Sequence, residues 1–164
     1  MSSPKYVFDV SAIALSHAGT PVSDPALRYL KSAIRGEVIG ILPSSAVIGA
    51  HHILRKAYHI RRDVASDILG NLQTARQLEW YESISSQLLN ASLETTAETN
   101  INAWDGYYSQ IVRETNADKI LTLDDDFERV GGVDYEVLLT ESEFTQLDEF
   151  IENIGGIRVY DDLV

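Results

Sequence analysis

Three carboxylates stand where an α/β chain could put them to work. Asp9 closes an apolar run at residues 5–10 (KYVFDV), and Asp124 follows a second run at 119–123 (KILTL). Asp105 lies at the start of a helical segment whose apolar face includes Trp104, Tyr108 and Ile111. Carboxylate oxygens are hard donors, and a converging set of them suits Mg²⁺ or Mn²⁺. A cation held that way can activate water and clamp a phosphodiester. Each acid also has a structural reading. A carboxylate in the first turn of a helix is stabilised by the helix dipole, and an Asp just after a strand satisfies turn backbone. Other chemistries are excluded directly. The chain has no cysteine, so disulfides, thiolate zinc sites and Cys nucleophiles are ruled out. Neither phosphate-binding glycine motif occurs, and there is no Gly-x-Ser-x-Gly elbow.

The elements that must position these acids alternate along the chain. Short apolar, β-branched runs predict strands at 5–10, 37–42, 77–81, 119–123, 136–139 and 157–160. Between them, patterning predicts helices at 11–17, 24–35, 43–58, 62–74, 87–99, 102–115 and 140–154. Pro25 after Asp24 marks a helix start, and Thr140 with Glu143 forms a capping-box pattern. The stretch from Ser83 to Thr99 is rich in Ser and Thr, and loop is the competing reading there. Strand–helix alternation is the pattern of a single α/β domain with a central, mainly parallel sheet and helices on both faces. In such sheets ligands bind beyond the carboxyl ends of the strands, where Asp9 and Asp124 sit.

The ordered motifs resemble those of the PIN-domain family. Phe8-Asp9-Val10-Ser11 matches a strand ending in Asp, followed by any residue and then Ser or Thr. Thr122-Leu123-Asp124-Asp125-Asp126-Phe127 matches Thr-x-Asp-x-x-Phe after a late strand, and Asp105 opens the helix before it. The resemblance covers residues 5 to 139. It implies a PIN-like domain over residues 1–139, with a C-terminal helix and strand at 140–164 packed on it. It further implies a toxin-like, metal-dependent endoribonuclease of the toxin–antitoxin type. Asp9, Asp105 and Asp124 would be its catalytic and metal-holding residues for Mg²⁺ or Mn²⁺, and Ser11 and Thr122 would orient those carboxylates. RNA, an antitoxin protein and a second copy of the chain are the implied partners. Tyr58, Tyr107 and Tyr108 suit such an interface or the core.

One position departs from the family pattern. Gly49 stands where the family carries a Glu, and no acid occurs between Leu42 and Arg62. Glycine inside a helix is worse than alanine by ~0.8–1.0 kcal/mol, so close packing by another element or a lost ligand is expected there. Asp126 and His51 are the candidate substitutes. His51 and His52 also read as packing residues. The alternative function is a catalytically degenerate PIN-fold protein that binds RNA or a protein partner.

Composition sets the surroundings. Asp and Glu number 25 against 13 Lys and Arg, a formal net charge of −12, and only Lys5, Lys31, Lys56 and Lys119 are lysines. No apolar run reaches the ~18 residues of a membrane span, and the first residues lack the pattern of a signal peptide. A cytoplasmic protein is expected. The acidic, lysine-poor composition reads either as adaptation to high salt or as an ordinary acidic protein. Self-repulsion among these charges opposes the compact state. Melting temperature should therefore rise as salt increases from about 0.05 M to 1 M, over which the Debye length falls to ~3 Å. A flat or falling curve in a calorimetric salt series would remove the repulsion argument.

Overall fold

The structure, a computed structural model, describes residues 2–157. Five strands form one sheet: β1 (Lys5–Phe8), β2 (Ile39–Pro43), β3 (Glu79–Tyr81), β4 (Lys119–Thr122) and β5 (Tyr135–Val137). Seven α-helices surround it: α1 (Val10–Ala18), α2 (Asp24–Ile34), α3 (Ser44–Lys56), α4 (Arg62–Gly70), α5 (Ser86–Thr99), α6 (Ala103–Thr115) and α7 (Glu141–Asn153). The strand order is β3-β2-β1-β4-β5, and every pairing is parallel. Parallel strands covered on both faces must be apolar throughout. Accordingly Val7, Phe8, Ile41, Leu42, Ile120 and Leu121 are all buried.

Topology fixes where the acids meet. From β1 the chain steps outward to β2 and β3, then returns past β1 to β4 and β5. Right-handed crossovers put α1–α4 on one face and α5–α6 on the other. The reversal falls between β1 and β4, the switch point at which open α/β sheets bind ligands. Val7 pairs with Ile120 and Phe8 with Leu121, so both strands end side by side. Residues 9 and 124 therefore leave the sheet as neighbours.

Several boundaries differ from the expected ones, each for a local reason. The first strand stops at Phe8 because Asp9 is the N-cap of α1, its side chain accepting from the Ala12 N–H. The expected helix at 62–74 ends at Gly70 and continues as a 3₁₀ turn, Asn71–Thr74. The Ser/Thr-rich stretch is helical from Ser86 because Ser85 caps it through the Leu88 N–H. Asn100 and Asn116 close α5 and α6 in the left-handed region, at φ 55° and 51°. The capping box of Thr140 and Glu143 is formed. α7 buries Leu147 and Ile151, and beyond it Ile157 N–H donates to the Lys56 carbonyl. The strand expected at 157–160 lies, beyond Ile157, outside the described residues.

Helices α5 and α6 touch at small residues, and this contact holds Asp105 in place. A Cβ on Gly106 would lie 2.5 Å from the Ser92 carbonyl oxygen and 2.6 Å from Thr96 Oγ1. The atom met first is backbone of buried Ser92, so no flexible side chain can move aside to make room. Gly106→Ala should therefore destabilise by about 1–3 kcal/mol through overpacking, although alanine is the better helix former by ~1 kcal/mol. Urea unfolding midpoints measure this. A more stable variant would mean that the helices are not in close backbone contact.

Candidate metal centre

Asp9 is buried and accepts three hydrogen bonds. It is 3% exposed. Its Oδ1 accepts from Ser11 Oγ at 2.7 Å and from Ala12 N–H at 2.8 Å, and its Oδ2 accepts from Thr122 Oγ1 at 2.6 Å. Both hydroxyls pass the tie onward. Leu123 N–H donates to Ser11 Oγ at 3.0 Å, and Asp124 N–H donates to Thr122 Oγ1 at 2.9 Å. Ser11 and Thr122 thus fix the backbone of the turn after β4 to the carboxylate after β1. Burial pushes the Asp9 carboxyl up to about 6, against the opposing pull of its hydrogen bonds from Thr122, Ala12 and Ser11, with the Asp124 charge adding to the rise.

The turn after β4 presents two further carboxylates. Asp124 Oδ1 accepts from Asp126 N–H at 2.8 Å, which curls the chain into the 3₁₀ turn Asp126–Arg129. Asp126 is flanked by Arg129, whose Nη2 lies 3.3 Å from Asp126 Oδ1. Burial raises the Asp124 pKa, and the Asp126 charge adds to the rise. From the opposite face, α6 delivers Asp105 in its first turn, with Asn102 as N-cap accepting from the Asp105 N–H at 2.9 Å. Asp105 is 4% exposed, and its Oδ2 is buried without a hydrogen-bond partner. Burial, followed by the charges of Asp124, Asp9 and Asp126, pushes its carboxyl up to about 8.

Asp105, Asp124 and Asp126 each offer a carboxylate oxygen within 4.8 Å of the others. This is the one cluster of three or more candidate metal-binding side chains among the described residues. A Mg²⁺-sized ion bonds oxygen at about 2.0–2.1 Å, so opposite ligands lie roughly 4.2 Å apart. Adjacent ligands lie roughly 2.9 Å apart, so the three oxygens would draw together by as much as about 2 Å on loading. A buried carboxylate oxygen lacking any donor, beside two others, is also the environment that a divalent cation relieves. The residues present fit such an ion.

The remaining expected residues are placed differently. Asp9 is not one of those three residues, but its charge acts on Asp105 from close by. His51 is half-buried at the α3–α4 contact, with Nε2 3.2 Å from Ser66 Oγ, and belongs to no such cluster. His52 is exposed and packs in no core. The apolar face of α3 is carried by Ala46, Ala50, Ile53 and Leu54, which turns His52 outward. Gly49 is explained by packing. A Cβ there would lie 2.7 Å from Val10 Cγ2, so α1 occupies the space a side chain at 49 would need. Of the tyrosines read as interface or core residues, one contributes to the site. Tyr108, buried on α6, accepts from Val10 N–H at 3.3 Å and so holds the residue between Asp9 and Ser11. Trp104 stacks on it, with ring centroids 6.0 Å apart.

Known structures share this architecture. VapC20 of Mycobacterium tuberculosis, described as a sarcin-ricin loop cleaving toxin, superposes with a TM-score of 0.62 at 14% identity, over 77% of this chain and 95% of that one. PAE2754 of Pyrobaculum aerophilum matches with a TM-score of 0.57 at 17% identity, over 89% of this chain and 90% of that one. No family model matches the sequence, and no curated protein matches it. The chain has the PIN-domain fold that its motifs led us to expect. Among the described residues, no helix is long and apolar enough to cross a membrane.

The buried acids make stability depend on pH. Asp9 and Asp105 are raised to about 6 and about 8 from an ordinary 3.8, so the folded, metal-free protein keeps protons that the unfolded chain has released. Stability contributed this way is complete below about pH 4 and is lost as pH rises through those two values. Asp105→Asn removes the upper part of that loss. At pH 8 it should stabilise the metal-free protein by at least ~1 kcal/mol, with the sign following from one pKa unit being worth about 1.4 kcal/mol. Thermal melts of both forms between pH 5 and 8.5 provide the measurement. Parallel profiles would mean that burial and the neighbouring charges do not raise Asp105 in the folded protein.

Proposed function

We propose that the protein is a metal-dependent endoribonuclease of the toxin type. The observation that carries this reading is the unpartnered, buried Oδ2 of Asp105 beside Asp124 and Asp126 at the switch point of a PIN-type sheet. Likeness of fold to a toxin described as cleaving the sarcin-ricin loop supports it. Asp105, Asp124 and Asp126 would hold Mg²⁺ or Mn²⁺, with the Asp9 carboxylate close to Asp105. When bound, such an ion supplies Lewis acidity to a phosphodiester and lowers the pKa of water. The chain's own residues do the rest. The Asp105 carboxyl holds a proton near neutrality in the metal-free state and must release it on loading. Ser11 and Thr122 keep the turn after β4 in register with β1. The sunken position of Asp105 excludes water from one side of the site.

On this reading the partners are RNA, an antitoxin-like protein and a second copy of the chain, and the setting is the cytoplasm. Ile48 on α3, and Leu89 and Leu93 one turn apart on α5, are exposed apolar residues that a protein partner could cover. A second reading, binding without catalysis, is favoured by Gly49, whose side-chain space is filled by Val10 so that α3 contributes no carboxylate. Cleavage decides between them. Purified protein with Mn²⁺ or Mg²⁺ should cut a structured RNA, chelator should stop it, and Asp124→Asn should reduce the rate at least ~100-fold while folding normally. RNA retained on the protein but left intact at every metal concentration would establish the second reading instead.

A further inference from the structure

We infer that the corner where α3 gives way to α4 is an RNA-binding surface, with Arg55, Lys56 and Arg62 meeting phosphates. It is separate from the acidic cluster and needs no metal. The chain as a whole repels a polyanion, so an RNA must dock where the sign of the surface reverses. The stretch 43–62 holds Arg55, Lys56, Arg61 and Arg62 and no acid, a formal charge of +4 in a chain of −12, which leaves −16 on the rest. Ion pairing sharpens the contrast. Lys5, Arg28, Arg35, Lys119 and Arg129 each lie beside an acid. At the corner Arg61 is matched by Asp63, but Arg55, Lys56 and Arg62 make no ion pair among the described residues.

The backbone holds these side chains on a fixed turn. Ala57 N–H donates to the Ile53 carbonyl at 2.8 Å and Ile60 N–H to the Leu54 carbonyl at 3.0 Å, with His59 in the left-handed region at φ 53°. The Arg61 carbonyl then accepts from Ala65 N–H at 2.9 Å, which starts α4. The corner buries Ile53, Leu54, Ala57 and Tyr58 and exposes Lys56, His59, Arg61 and Arg62. Val64 is the one large apolar side chain exposed between residues 51 and 67, at 39%. Protein partners are met by clustered aromatic and aliphatic anchors, which this surface does not offer. Phosphates are met by guanidinium and ammonium groups, and exposed imidazoles such as His52 and His59 can stack on unpaired bases. The acids that follow on α4 are Asp63, held by Arg61, and Asp67. Lys56 lies about 18 Å along the axis of α3 from Ser44, which follows the carboxyl end of β2. An RNA that tracks α3 to that end of the sheet spans roughly five stacked nucleotides.

The test measures binding of a fluorescein-labelled RNA hairpin to the full-length protein by anisotropy. Chelator is present throughout, and salt is varied from about 0.05 to 0.5 M. Lys56→Gln/Arg62→Gln changes two exposed positions and should weaken binding at least ~10-fold at about 0.1 M salt. It should also flatten the plot of log affinity against log salt by about 1.4–1.8, the share of two phosphate contacts. Lys31→Gln/Arg76→Gln removes the same charge from exposed positions elsewhere and should stay within ~2-fold of wild type. Lys56→Arg/Arg62→Lys keeps the charge and should bind like wild type, and it serves as the folded reference if the glutamine pair melts early. Equal losses in the two glutamine pairs would overturn the inference, because net charge alone would then explain binding. So would a wild type that binds no RNA, or a corner variant that binds as wild type does. Polyglutamate that displaces the RNA at equal charge concentration would assign the corner to an acidic protein instead. The outcomes separate this inference from the ribonuclease reading. Corner-dependent binding in chelator, with no cleavage once Mn²⁺ is added, upholds it and removes the ribonuclease. Cleavage by a protein whose RNA affinity ignores the corner removes this inference alone.

Discussion

The carboxylate of Asp9 is the interaction on which the site depends. It lies at the end of the central strand, almost wholly buried, and accepts from Ser11, Ala12 and Thr122. A buried carboxylate is tolerated only when donors surround it. Here those donors come from the start of α1 and the end of β4, so satisfying one charge at the end of β1 ties three chain segments together. The cap at Ala12 starts α1. The Thr122 tie sets β4 beside β1 beyond their last paired residues. The two hydroxyls then hold the turn that carries Asp124 and Asp126. Burial still outweighs the donors, because the carboxyl titrates above its ordinary range.

Around this anchor the fold accepts a local cost. Asp105 enters from α6 with one oxygen unpartnered, close to Asp124, Asp9 and Asp126. Like charges in a poorly solvated pocket repel more strongly than they would in water. The N-terminal end of α6 offsets part of this, since its dipole favours a carboxylate in the first turn. The remainder persists because the surrounding structure does not let the side chain leave. Gly106 presses α6 against α5, Tyr108 joins α6 to Val10, and Trp104 covers Tyr108. An arrangement held against its own repulsion is preorganised for a positive charge.

Much of this was legible in the residues. Apolar runs ending in acids placed β1 and β4, and their position in a parallel sheet brought Asp9 and Asp124 to one edge. Asn102 followed by Asp105 reads as a capped helix, so Asp105 could be placed as well. What stayed hidden was direction. Asp9 looked like a strand end because an apolar run with Val10 on its far side continues a strand pattern; the cap at Ala12 reassigns it. Asp126 was legible as a candidate substitute, but its placement depends on a turn closed by the Asp124 side chain and on Arg129, two positions beyond Phe127, which no periodicity encodes. The Tyr108 hydroxyl depends on α6 and α1 meeting across the sheet edge, a long-range fact. His52 was placed with the packing residues, whereas Ala46, Ala50, Ile53 and Leu54 define a stripe from which it points away.

Gly49 joins the absent acid to the anchor. Val10 is held at two points: its N–H donates to Tyr108, and its Cγ2 sits where a Cβ on Gly49 would be. It lies between Asp9 and Ser11, both of which hold the turn after β4. β-branched side chains are stiff about χ1, so a valine packed against glycine transmits little freedom to its neighbours. A larger residue at 49 would push Val10, and through it the carboxylate that satisfies Ser11, Ala12 and Thr122. The helix cost of glycine at 49, up to ~1 kcal/mol, is thereby tied to the geometry of Asp9. In this chain α3 contributes packing to the site and no charge, and the carboxylates come from β4's turn and from α6.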